Sequence, residues 1–225
     1  KSLLNTSYRL NEKLIRIPNA LFYNNELSSA RPLQTTNANI VSSEFSEVIN
    51  HQDSKVLYLH KVFDAQGRSP HEAKIVAEIV NDLISNGIDF KDIGILTPYR
   101  AQERELKKAL GQFITDIDSK DLFIDTVDRM QVQERYYILY SMSNSHPLES
   151  KRRLDFFYSP NRLNVAITRA IKKCIVIANY KVFDIIDDEL QDIEDWDKLK
   201  PSLDIFKEYL KLSSKVEEIV EEDSW

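Results

Sequence analysis

The sequence predicts an α/β domain: a mostly parallel β-sheet with helices covering both faces. Two observations predict it. Short apolar runs rich in β-branched residues recur along the chain, each bounded by polar turns, as buried strands do. Between them lie segments of 10 to 17 residues with apolar side chains at steps of three and four, the spacing of a helix face. Strands alternating with helices of that length imply βαβ units.

The elements follow in order. "NEKLIRIPNALFYNNEL" is amphipathic, and Pro18 is expected to break it, because proline removes a helix donor. Residues 31–55 are polar and weakly patterned, a surface loop or insertion. "KVLYLHKVF" (55–63) reads as a strand. "SPHEAKIVAEIVNDLISNG" (69–87) reads as a helix with Ser69 as N-cap, Pro70 in the first turn and Gly87 as the stop. Strand "IGILT" (93–97), helix "YRAQERELKKALG" (99–111) and strands "LFIDTV" (122–127) and "YYILYSMS" (136–143) come next. After Ser159, the apolar residues Leu163, Ala166, Ile167, Ala170 and Ile171 mark one face of a further helix. Arg162 and Arg169, seven residues apart, would then project from one side of it, roughly 10 Å from each other. Strand "CIVIAN" (174–179) follows, and the tail from about 198 to 222 is helical by pattern, packing outside the sheet. The domain organisation is read as an opening segment (1–30), the polar insertion (31–55), an α/β core (56–180) and an acidic, helical extension (181–225).

With 225 residues, the chain is long enough to bury a substantial core. No apolar run approaches the roughly 18 residues that a membrane span needs. No basic-then-apolar secretion signal is visible, and the single cysteine, Cys174, falls in a strand, where it is an inert core residue. A reducing, cytoplasmic location is expected. The net charge of −6 argues at first against a polyanionic partner. However, residues 184–197 hold eight acids and residues 217–223 five, with no base in either. Without those thirteen charges the rest of the chain is basic by seven, so the overall charge does not describe what the body of the domain binds.

In parallel sheets, ligands bind beyond the carboxyl ends of the strands. After "IGILT" comes Pro98-Tyr99-Arg100-Ala101-Gln102, and after "LFIDTV" comes Asp128-Arg129-Met130-Gln131-Val132-Gln133-Glu134. Both loops are dense in charged and hydrogen-bonding side chains. The four glycines (67, 87, 94, 111) form neither a phosphate-cradling loop nor a dinucleotide fingerprint. The four histidines (51, 60, 71, 146) lack metal-ligand spacing, so no metal site is expected.

Four ordered blocks resemble the second motor domain of superfamily 1 helicases, in the 5′-to-3′ branch containing the nonsense-mediated-decay RNA helicase and the flap-processing DNA helicase–nuclease. "DIGILTPYRAQ" is similar to the nucleic-acid-contacting segment near the start of that domain. "IDTVDRMQVQERYYILYS" is similar to motif V, usually V-D-[ST]-V-D-x-F-Q-G-Q-E-x-D-x-[IV]-[IV]. "RLNVAITRA" matches motif VI, and "NTSYRLNEKLIRIPNALFYNNEL" resembles the Tyr-Arg segment.

The resemblance implies a RecA-like domain that lacks the P-loop, together with a set of roles. Arg9 and Arg169 match the family's two arginine fingers, aimed at the γ-phosphate of ATP. Tyr8 matches the aromatic that stacks on adenine, and Glu134 the motif V carboxylate near the ribose. Arg162 either serves the same cleft or pairs with a local acid. Thr97, Pro98, Tyr99, Thr126 and Asp128 fall on loops that track a single strand of DNA or RNA, with Arg100 and Gln102 beside them. Arg169 near a helix end would also complement the macrodipole, and Glu134 could simply balance Arg129 or Arg135. ATP and Mg2+ would be held mainly by an N-terminal RecA-like domain of the same protein. The Walker lysine and carboxylates are not in these residues, so the chain is expected to be a carboxy-terminal fragment, inactive alone. Two positions depart from the pattern: Val132 stands for the glycine of Q-G-Q-E, and Tyr136 for an acid. The alternative is a catalytically degenerate RecA-like module that binds nucleic acid or docks a partner.

Overall fold

The computed structural model describes residues 5–32, 39–40, 43–130, 133–145, 154–184 and 196–218. Six strands form one parallel sheet in the order β5-β4-β6-β7-β3-β8: β3 (Lys55–His60), β4 (Ile93–Thr97), β5 (Phe123–Thr126), β6 (Arg135–Ser141), β7 (Ala170–Asn179) and β8 (Ser214–Glu217). Every residue of β3 and β4 is buried, as expected of strands covered on both faces. The fold is of the α/β class expected from the alternation, and of the RecA-like form that the resemblance implied.

The two-residue period sorts the core into two layers. Leu57, Leu96, Ile138, Tyr140, Cys174 and Val176 face one side, against α1 (Glu12–Phe22), α6 (Pro160–Ile167) and α7 (Trp196–Leu212). Val56, Ile95, Tyr137, Leu139 and Ile175 face the other, against α2 (Ser46–Asn50), α3 (Pro70–Ser85) and α4 (Arg100–Leu110). The N-terminus of α3 forms as expected: the Ser69 hydroxyl accepts from the Glu72 amide at 3.0 Å, and Pro70 occupies the first turn. Gly87 ends the segment at φ +84°, a conformation glycine adopts without steric cost. Burial pushes the Cys174 thiol up to about 12, in keeping with an inert core cysteine.

Four expectations need correction. Helix α1 runs through Pro18 rather than breaking there. Proline leaves the carbonyl of Leu14 without its usual helical donor, and the buried Lys55 ammonium donates to that carbonyl. The stretch read as a polar loop contributes α2, whose Val48 and Ile49 are buried with Phe45 and Ile40 in the second core layer. Just before it, β2 (Ser28–Arg31) pairs in parallel with β1 (Thr6–Asn11) as a separate two-stranded ribbon. The helix after Ser159 stops at Ile167, where Thr168 Oγ1 bonds the Asn164 carbonyl at 2.7 Å, so Ala170 and Ile171 belong to β7. Finally, the tail is not all helical: after α7 it adds β8 to the edge of β3, with Val216 turned inward. A four-residue strand is too short to announce itself beside a long helical pattern.

Candidate functional site

The predicted residues divide between the two edges of the sheet. Glu134 precedes β6 and Arg169 precedes β7, and these strands are neighbours, so both residues stand at the amino edge. The Arg135 amide donates to the Arg169 carbonyl at 3.1 Å and fixes this approach. From the other end of the chain, β1 brings in Tyr8 and Arg9, followed by Asn11, whose side chain caps α1 by accepting from the Leu14 amide. Arg31 of β2 donates to the Arg9 carbonyl at 3.1 Å and braces the ribbon.

Tyr8, Arg9, Tyr23, Glu134, Asn164 and Arg169 thus line one open cleft of about 540 Å³. Arg9 Nε is ion-paired with Glu134 Oε1, and among the described residues its two terminal guanidinium nitrogens make no hydrogen bond. Glu134 therefore balances neither Arg129 nor Arg135. The Arg169 guanidinium is held below its ordinary pKa by burial and then by the Arg9 charge, yet arginine stays protonated. Its Nε is buried and has no hydrogen-bond partner among the described residues. Two cations, one partly desolvated and incompletely bonded, make a cleft suited to an anion. Tyr8 is 77% exposed, an aromatic face beside that charge. Tyr23 and Asn164, joined by an Asn164 Nδ2 bond to the Tyr23 hydroxyl at 3.2 Å, are cleft residues the sequence reading passed over.

The remaining predicted residues stand at the carboxyl edge. Thr97 and Thr126 are register partners on β4 and β5, so their two loops leave the sheet from one rung. Both threonines and Pro98 are buried, whereas Arg100, Asp128 and the neighbouring Arg129 are exposed. Tyr99 is half-buried, 5.5 Å from the Phe156 ring and packed on Gly67. Arg162, at the start of α6, grips Asp128 through Nε and Nη2 at 3.0–3.2 Å and stacks 3.9 Å above Phe156. It does not line the Arg9–Arg169 cleft. Of the two readings of Arg162, the geometry is that of a residue paired with a local acid.

Gln102 is structural: its buried amide bonds both main-chain groups of Ser69 and the Ser141 hydroxyl. Tyr136, where the family pattern has an acid, is exposed on β6. Val132 and His146 lie outside the described residues. Among those described, the fold also gathers His60, His71 and Glu218, a cluster that no sequence spacing announces.

An AAA domain family model matches residues 1–181. The chain is 31% identical over 193 residues to the DNA replication ATP-dependent helicase/nuclease JHS1 of Arabidopsis thaliana, covering 80% of this chain and 14% of that protein. It is 31% identical over 189 residues to an uncharacterized ATP-dependent helicase of Methanocaldococcus jannaschii, covering 79% of this chain and 26% of the relative. It is 28% identical to the DNA polymerase alpha-associated DNA helicase A of Schizosaccharomyces pombe, over 80% of this chain and 28% of the relative. The parallel sheet and its ordered motifs are those of a region found in helicases. The chain belongs to the AAA domain family, in the form carried by superfamily 1 helicases. It spans about a quarter or less of the length of the first two relatives. Among the described residues, no helix is long and apolar enough to cross a membrane.

Proposed function

We propose that this chain is the second motor domain of an ATP-dependent helicase or translocase, lending Arg9 and Arg169 to ATP and Mg2+ held mainly by another RecA-like domain of the same protein. One observation carries the reading: Tyr8, Arg9, Glu134 and Arg169, drawn from three separate stretches of sequence, line one cleft. Transfer of a terminal phosphoryl group spreads negative charge over its oxygens, and a planar guanidinium meets two of them without losing its proton. Glu134 orients the Arg9 guanidinium through Nε, and Tyr8 offers a ring for a nucleobase to stack on. At the opposite edge, Tyr99, Arg100 and Asp128 and the loops leaving Thr97 and Thr126 contact the backbone of a single strand. Such contacts bind without reading sequence.

The test is Arg169→Ala in the intact protein. Nucleic-acid-stimulated ATP turnover should fall by about a hundredfold or more, in line with the worth of arginine fingers in related enzymes. Unchanged turnover would refute the role. The exposed Tyr136 favours a second reading, a degenerate binding module, but such a module has no use for two cations directed into one cleft.

A further inference from the structure

We propose that His60, His71 and Glu218 form a binding site for a divalent transition-metal ion, with zinc the first candidate. The proposal is independent of the nucleotide reading and concerns the far side of the sheet. His60 ends β3, His71 lies in the first turn of α3, and Glu218 follows β8, its amide donating to the Leu59 carbonyl at 2.8 Å. Three chain segments thus converge at one corner of the carboxyl edge. One ligand atom from each lies within 4.8 Å of the others. Two imidazoles and a carboxylate are the donor set that zinc takes in mixed sites.

The local bonding leaves work for a cation. His71 Nε2 and Glu218 Oε1 approach to 2.8 Å, yet His71 Nε2 and Glu218 Oε2 are buried without a hydrogen-bond partner among the described residues. Behind them, Glu72 is fully buried and accepts from the Ser141 hydroxyl at 2.6 Å and the Ser143 amide at 2.9 Å, and among the described residues no lysine or arginine is paired with it. Its other oxygen faces His60 Nε2 at 3.3 Å. His60 Nδ1 accepts from the Val62 amide at 3.3 Å, which leaves Nε2 facing Glu72 as the donor. Among the described residues neither Glu72, which is buried, nor Glu218, which is largely covered, is paired with a lysine or arginine, and proteins hold such carboxylates by other pairing or by metal coordination. Glu72 on Nε2–H supplies the outer carboxylate that fixes a metal-bound histidine. With Nε2 turned to Glu72, an ion on His60 would take the Nδ1 lone pair in place of the long Val62 bond. Bound there, the ion ties β8 to β3 and α3.

The test is equilibrium dialysis of the tag-free purified chain against zinc, with bound metal counted and thermal melting followed in parallel. Expected are one zinc per chain at micromolar or tighter affinity and a melting point raised by several degrees. Both should be lost in His71→Ala and in Glu218→Gln and kept in His51→Ala, whose site is elsewhere. His71 is partly exposed, so its variant should fold, and circular dichroism of each protein checks that. No saturable zinc, or zinc retained in both site variants, would overturn the proposal.

Discussion

Asp128 and Glu134, six residues apart in sequence, stand at opposite edges of the sheet, each holding an arginine: Asp128 grips Arg162 and Glu134 grips Arg9. The segment joining them leaves the carboxyl end of β5 and enters the amino end of β6. Helix α6 and the turn after it make the same passage in reverse, from Arg162 to Arg169. Helix α6 therefore joins the candidate strand-binding edge to the candidate nucleotide cleft over roughly 12 Å.

Arg9 should matter for turnover rather than for folding. In the intact protein, Arg9→Ala should lower nucleic-acid-stimulated ATP turnover by about a hundredfold with little change in melting temperature, since a partly exposed ion pair contributes about 0–1 kcal/mol. Steady-state kinetics beside a thermal melt separate the two; a large loss of stability with turnover intact would contradict the assignment.

Arg162 should behave differently. Asp128→Ala and Arg162→Ala in the intact protein should weaken the response to single-stranded nucleic acid several-fold and leave unstimulated turnover near the parent value. A titration of turnover against strand concentration reads both. Collapse of the unstimulated rate in Arg162→Ala would return that residue to the nucleotide cleft.

Gln102 anchors the start of α3 to the centre of the sheet. Gln102→Ala strips hydrogen bonds from buried Ser69 and Ser141, at a cost of about 1–3 kcal/mol. For a chain of this size, the melting temperature should fall by roughly 3–10 °C. An unchanged melting point would mean that the amide is dispensable.

Lys55 makes stability depend on pH. Burial lowers its pKa to about 7, as it does that of Lys173. The unfolded chain keeps both lysines near 10.5, so above about pH 7 it binds more protons than the folded chain and stability rises with pH. Each lysine contributes at most about 1.4 kcal/mol per pH unit. The gain is opposed above about pH 9, where unfolding would free the Cys174 thiol to ionise. Melting temperatures between pH 7 and 9 should therefore climb, and climb less in Lys55→Met. Equal slopes in the two proteins would contradict the lowered pKa of the buried lysine.

The amino-acid sequence by itself determined the elements whose cause is local. The N-cap at Ser69, the glycine stop at Gly87, the buried strands and the order of the four motifs are all legible from neighbours within a few residues. The resemblance offered Tyr8, Arg9, Glu134, Arg162 and Arg169 as cleft candidates, and of these Arg162 lies outside the cleft that the other four line. Only the tertiary structure decided which of these residues meet. Arg162 and Arg169 looked like one face of a single helix, but the chain leaves the helix at Thr168, and the two guanidinium groups part to opposite edges. Pro18 looked like a break because the partner that satisfies Leu14, the Lys55 ammonium, is 41 residues away. Glu218 reaches His71 only because β8 adds to the rim of the sheet. Periodicity and caps act over a turn or two of backbone, whereas compensation, pairing and convergence depend on contacts between segments far apart in the chain, and those exist only once the sheet has assembled.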